Sequence, residues 1–166
     1  MSSFDYRYHA PPLGDVSQAV EHLLAEVHTL SGDEITRRLD DVLETTYLLF
    51  SERDKNTNWP RLLWLYEGLM DFHGSSVLAL NRAMAVANVH GPQAGMDAVA
   101  TIRDQDKLQA CYLFYAVLGE LEAQLNDPLA AAGYFRKSVQ FAEVKSMRSI
   151  LLKRFEACQE QLVDQA

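Results

Sequence analysis

The chain has 166 residues, 48 % of them apolar and 23 % charged, which is enough for one globular domain with a sizeable core and excludes a disordered chain. Its net charge of −8 argues against direct nucleic-acid binding, because phosphate contacts call for the opposite sign. No run reaches the ~18 uncharged apolar residues of a membrane span, and "MSSFDYRYHAPPLGD" lacks the apolar core of a secretory signal.

The periodicity is helical along the whole chain. Val16, Val20, Leu23, Leu24, Val27 and Leu30 form a first stripe, with Asp15 placed to cap it. After Ser31-Gly32 a second stripe follows: Ile35, Leu39, Val42, Leu43, Thr46, Tyr47 and Phe50. "SERDKNTN" is a polar loop and the natural internal boundary. It divides residues 1–55, an N-terminal helical pair, from residues 56–166, with both parts expected to pack as one unit. Asn58 caps the next helix and Pro60 fits its first turn, where a missing N–H does no harm. "WPRLLWLYEGLM" and "SVLALNRAMAVANV" are apolar round most of their circumference, which predicts neighbours on several sides. The second ends at "HGP", where Gly91 suits a left-handed cap and Pro92 opens "PQAGMDAVATI". Three more helices follow: "DKLQACYLFYAVLGELEAQL", "DPLAAAGYFRKSVQFA" and "SMRSILLKRFEACQEQL". The last presents Met147, Ile150, Leu151, Phe155, Cys158 and Leu162 on one face. No stretch alternates apolar and polar residues as a strand would. About eight helices joined by short connections predict an all-α fold of antiparallel hairpins.

"YAVLGELEAQLNDPLAAAGYF" carries the sparse pattern of a tetratricopeptide repeat, a helix–turn–helix unit of roughly 34 residues. Tyr115 is the aromatic, Leu118 and Gly119 follow, Ala131 stands twelve beyond the glycine, and Phe135 four further on. The spacing predicts that Gly119 and Ala131 lie where the two axes come closest, with Tyr115 and Phe135 filling the space on either side. Asp127 caps the second helix and Pro128 starts it. Ser138 and Glu143 stand where the repeat usually has alanine and proline. Gly133 matches no small position and suggests a close approach to another helix. The upstream pair has the same outline but does not superpose at that spacing, so the chain reads as one clear and one degenerate repeat in a TPR-like right-handed superhelix. Such a stack leaves an outer wall to receive another molecule, with flanking helices capping its ends.

Residues 58–158, about 60 % of the chain, resemble the C-terminal extension of a group of bacterial extracytoplasmic-function RNA polymerase sigma factors, those often encoded beside DGPF-domain (YCII-related) proteins. Trp59, "LNRAMAV" with Asn81 and Arg82, "HGP", and the Leu118-Gly119 repeat carry the likeness. "RLDDVLETTYLLFSERD" is similar to a segment that follows the sigma portions in that family, where a longer helical region separates it from the Trp59 helix. The family's promoter-melting domain and basic helix-turn-helix have no counterpart here. What the resemblance implies is therefore a role around sigma activity. It points to a cytoplasmic, non-catalytic protein–protein interaction module in transcription regulation, contacting a sigma factor, an RNA polymerase subunit or another regulator.

Several residues invite a specific reading. Asn81 and Arg82 interrupt an apolar helix, and an unpaired buried arginine costs several kcal/mol. They are expected either to tie neighbouring helices together or to line a groove for a partner's carboxylate. A small-molecule or enzymatic pocket around this pair is the alternative function. Trp64 lies off the main stripe of its helix, where it is either buried against the N-terminal helices or an exposed anchor of the kind that dominates interface energy. His22 and Glu26 have a chelating spacing but no second pair to complete a metal site. His28, His73 and His90 sit near helix ends, where imidazole commonly meets the last carbonyls. Cys111 and Cys158, without CxxC spacing, read as reduced, buried thiols. No nucleophile elbow or glycine-rich phosphate loop is present, so no catalytic residue, metal or cofactor is expected. Residues 136–154 carry +5 on a chain of −8, leaving −13 elsewhere. This predicts a face complementing acidic helices such as the one with Asp33, Glu34, Asp40, Asp41 and Glu44, or a docking stripe for an acidic partner. A homodimer, one copy stacking on another, is the remaining possibility.

Overall fold

A computed structural model describes residues 16–165; the expected Asp15 cap lies outside them. Among the described residues the protein is all-α, with eight α-helices and no strand. They are α1 (Val16–Glu26), α2 (Gly32–Ser51), α3 (Trp59–Met70), α4 (Ser76–His90), α5 (Pro92–Ala100), α6 (Tyr112–Gln124), α7 (Pro128–Phe141) and α8 (Lys145–Asp164).

Local signals set most boundaries. The side chains of Ser31, Asn58, Ser75 and Asp127 each accept a hydrogen bond from the backbone N–H three residues on, capping α2, α3, α4 and α7. Asp33 and Glu34 add negative charge to the first turn of α2, where the helix dipole favours it. Gly91 has φ 102°, a backbone that side chains resist; it ends α4 through an N–H bond to Ala87 O and opens α5 ahead of Pro92. One boundary differs from expectation. The helix predicted from Asp106 is split, because Asp104 is left-handed and residues Gln105–Leu108 form a separate 3-10 turn. Tyr115 donates its hydroxyl to Gln109 O across the turn that follows.

Successive helices pack as hairpins, but α2 reaches past α3 to lie against both α4 and α6. The polar loop at 52–58 therefore separates no core: one hydrophobic cluster runs from Val16 to Cys158. Residues 113–121 of α6 are all buried, including Glu120. The side of the α4 and α6 hairpins onto which α2 folds is thus occupied within the chain itself, and the wall expected to receive another molecule is covered there. On α8 only Met147, Leu151 and Cys158 are fully buried, while Ile150, predicted on the same face, is exposed.

The glycines show where helices approach most closely. A Cβ at Gly119 would fall 2.9 Å from Cε1 and Cζ of the Phe135 ring. Phe135 itself, rather than Ala131, thus fills the space above the glycine. Tyr115 stacks on Phe141 at 5.6 Å. Backbone-to-backbone approach occurs instead in the α4–α5 hairpin, where a Cβ at Gly95 would lie 2.5 Å from Ala87 Cβ and 3.1 Å from its Cα. Gly133 has nothing within 4 Å, so the close approach expected of it is absent. These contacts rank three substitutions. Gly95→Ala meets a Cβ fixed to its backbone and should be the most damaging, with Gly119→Ala next, at about 1–3 kcal/mol each. Gly133→Ala, at an exposed helical position, should stabilise by up to about 1 kcal/mol. Urea unfolding of the three variants measures the order directly.

Candidate functional site

The interior holds two polar networks. In the first, Thr46 of α2, Tyr66 of α3 and Asn81 of α4 form a relay. Thr46 Oγ1 and Tyr66 OH are 2.8 Å apart, Tyr66 OH donates to Asn81 Oδ1 at 3.3 Å, and Asn81 Nδ2 donates to Val77 O at 3.1 Å. Burial pushes the Tyr66 hydroxyl well above its ordinary pKa, so it stays protonated and available as a donor.

The second network centres on Glu120 of α6, a residue the sequence reading did not single out. Its carboxylate accepts from Arg154 Nε of α8 at 2.8 Å and from Tyr47 OH of α2 at 3.0 Å. Burial raises the Glu120 pKa, and the bonds from Arg154 and Tyr47 pull it part of the way back. Burial and the Glu120 charge together raise that of Tyr47. Alongside, Tyr112 OH donates to Glu44 Oε2 at 3.2 Å, a second polar tie between α6 and α2. The clue in the sequence was available: Glu120 follows eight uncharged residues of its helix, most of them large and apolar.

Asn81 and Arg82 diverge, as adjacent helical residues do. Asn81 is fully buried in the relay and cannot touch a docked partner, which corrects its assignment to a binding surface. Arg82 points outward and pairs with Glu67 Oε2 of α3 at 3.2 Å.

Trp64 is not buried against the N-terminal helices; it is 62 % exposed on the outer face of α3. Its helix neighbours hold two ion pairs, one on each side. Arg61 bonds Glu21 of α1 at 2.7 Å and places its guanidinium 5.8 Å from the Trp64 ring centroid, and Glu67, three residues on, holds Arg82. Further along the same side, Leu24 of α1 lies over Gly68, and exposed Phe72 meets the His28 ring edge-on at 4.8 Å. His28 therefore meets an aromatic ring rather than a helix-end carbonyl. His73 has a buried Nε2 with no hydrogen-bond partner. Two of the three predicted partner-binding residues, Trp64 and Arg82, thus share one surface built on rigid helices.

Among the described residues no group of three or more His, Cys, Asp or Glu side chains could hold a metal, and Glu26, paired in sequence with His22, binds Arg38 at 2.8 Å. Both cysteines are free, and burial raises both thiol pKa values, which disfavours the reactive thiolate. Among the described residues no helix is long and apolar enough to cross a membrane. Among the described residues the acidic residues of α2 are not answered by the basic C-terminal stretch: Glu34 pairs with Arg37 and Arg38 of its own helix, and of the six cations in 136–154 only Arg154 meets a described carboxylate.

No family model matches the chain, and no solved structure does. It is similar to an uncharacterized protein of Rhizobium meliloti (strain 1021), at 29 % identity over 92 residues, which is 55 % of this chain. The chain spans about a fifth of the length of that relative, the match covering 21 % of it.

Arg154→Ala should cost about 3 kcal/mol at neutral pH, the lower end for breaking a buried pair, because Arg154 is 37 % exposed and water replaces part of the contact. Linkage gives the penalty a direction in pH. Folding raises the Glu120 pKa, so its contribution to stability is greatest below the ordinary glutamate range and falls as pH rises through the raised value. Without Arg154 the pKa rises further. The penalty should therefore shrink as the solution is acidified and Glu120 takes its proton. Denaturant titrations of both proteins across the acid range test the slope.

Proposed function

We propose that this chain is a non-catalytic protein-interaction module whose partner docks on the outer face of α3 around Trp64, and that it works in transcription regulation. The observation that carries the reading is a large aromatic side chain left exposed on a core helix while ion pairs on both sides fix its surroundings. Exposed tryptophans on rigid supports, rimmed by charge, are typical interface anchors. The buried polar groups are in keeping with a scaffold: Arg154 and Tyr47 satisfy Glu120, and Tyr66 bridges Thr46 and Asn81. The match to a fifth of a longer protein is in keeping with a helical unit that works beside other domains. The partner class follows from the resemblance to sigma-factor extensions: a sigma factor, an RNA polymerase subunit or a regulator acting with them. On this reading the module works in the cytoplasm, as a TPR-like stack whose binding surface is the outer side rather than the face α2 covers.

A pull-down with the purified chain should enrich one of those proteins, identified by mass spectrometry. Trp64→Ala should weaken recovery by more than tenfold, the effect of removing about 2 kcal/mol of anchor energy, with no change in the urea midpoint. Equal recovery by both proteins, or recovery of nothing beyond what an unrelated acidic helical protein retains, rules the reading out.

A further inference from the structure

Helix α8 closes the stack. Its inner stripe, Met147, Leu151 and Cys158, packs on α7, and among the described residues its outer stripe is exposed. The charges of that outer side are sorted along the axis. Lys145, Arg148 and Lys153 lie in the first half, and Glu156, Glu160 and Asp164 in the second. Among the described residues none of the six is ion-paired; Arg148 instead donates to Ala142 O at the end of α7.

This order is the wrong one for a helix on its own. The dipole favours acids in the first turn and bases in the last, so the sequence gives up a few tenths of a kcal/mol or more at each end. Among the described residues no partner answers the reversal. Apolar side chains stand among the charges: Leu152 is 43 % exposed and Val163 74 %, and a shallow groove is lined by Glu156, Gln159, Glu160, Val163 and Asp164.

We infer that the outer face of α8 is a self-association surface, on which a second copy of this chain docks with its own α8 antiparallel. A helix with a basic first half and an acidic second half is complementary to itself when turned end for end. Lys145 of one copy then stands opposite Asp164 of the other, and Lys153 opposite Glu156, each contact occurring twice about the two-fold axis. The opposed dipoles attract, and Leu152 falls beside the groove of the facing helix. The helix spans about 30 Å, room for such a seam. Two molecules of charge −8 repel each other in general, and this face, locally neutral and sorted, is where they can approach. The surface is separate from the Trp64 face on α3, so the inference stands or falls independently of the proposed function.

Light scattering on the intact chain should give twice its 18.7 kDa mass, with dissociation on dilution and in high salt. Two charge-reversed proteins test the geometry: Lys145→Glu with Lys153→Glu, and Glu156→Lys with Asp164→Lys. All four positions are exposed and off the inner stripe, and circular dichroism checks that both proteins remain helical. Each alone should be monomeric, since every cross-helix contact becomes like-charged. Mixed in equal amounts they should form a dimer with one copy of each, because both halves of the seam regain opposite charges. A monomeric parent chain, dimers from either variant alone, or a mixture that stays monomeric would each overturn the inference, as would open-ended polymers.

Discussion

A carboxylate in the interior of a helical stack must be met from every side, because an isolated ionised group there costs more than a small domain can supply. Glu120 sets that constraint here. It sits on α6, the helix with the most enclosed middle, and its two partners come from α2 and α8, far away on either side in sequence. The N-terminal pair and the C-terminal helix are therefore placed relative to one element by the same group. Apolar burial drives the collapse, but it is tolerant of small slips. A bidentate guanidinium and a phenol aimed at one carboxylate are not, and they give the stack a single arrangement.

The Thr46–Tyr66–Asn81 relay acts likewise between α2, α3 and α4. In both networks α2 supplies one member, and this is what makes the N-terminal pair integral. Its seven-residue stripe covers a face of α4 and α6 that a free-standing repeat unit would offer to a ligand. In the proposed reading, recognition is consequently displaced to the outside of the molecule. There the features that stand out are an exposed tryptophan between ion pairs and a terminal helix with sorted charge.

The helices, caps and buried stripes were legible in the sequence because they depend on spacing within one element. Asn58, Asp127, Gly91 and Pro92 do what their positions predict, and the α2 stripe is buried as read. What could not be read depends on which elements meet. Gly119 had been matched to Ala131 by a repeat pattern, whereas the ring of Phe135, one turn on, occupies its space. Gly95 and Ala87 form the tightest approach with no pattern to announce it, since their hairpin is shorter than the repeat. Asn81 and Arg82 look alike as polar interruptions, but a step of about 100° round the helix sends one into the core and the other to Glu67. Trp64 was ambiguous for the same reason: its helix has neighbours on most sides, and only the assembled fold shows which side is open.

The +5 stretch shows how a charge count misleads when position is ignored. Taken together, its six cations suggest one basic face opposed to the acidic α2. In the fold they divide by task. Arg154 neutralises Glu120, Arg148 satisfies the last carbonyl of α7, and Arg136 and Lys137 lie over the rings of Phe155 and Tyr115. Lys145 and Lys153 are left on the outside of α8, and three acids follow them on the same helix. A uniformly basic face would attract any polyanion. A face basic at one end and acidic at the other discriminates, because it rewards only a partner whose charges run in the opposite order, and a second copy of the same helix, reversed, satisfies that demand.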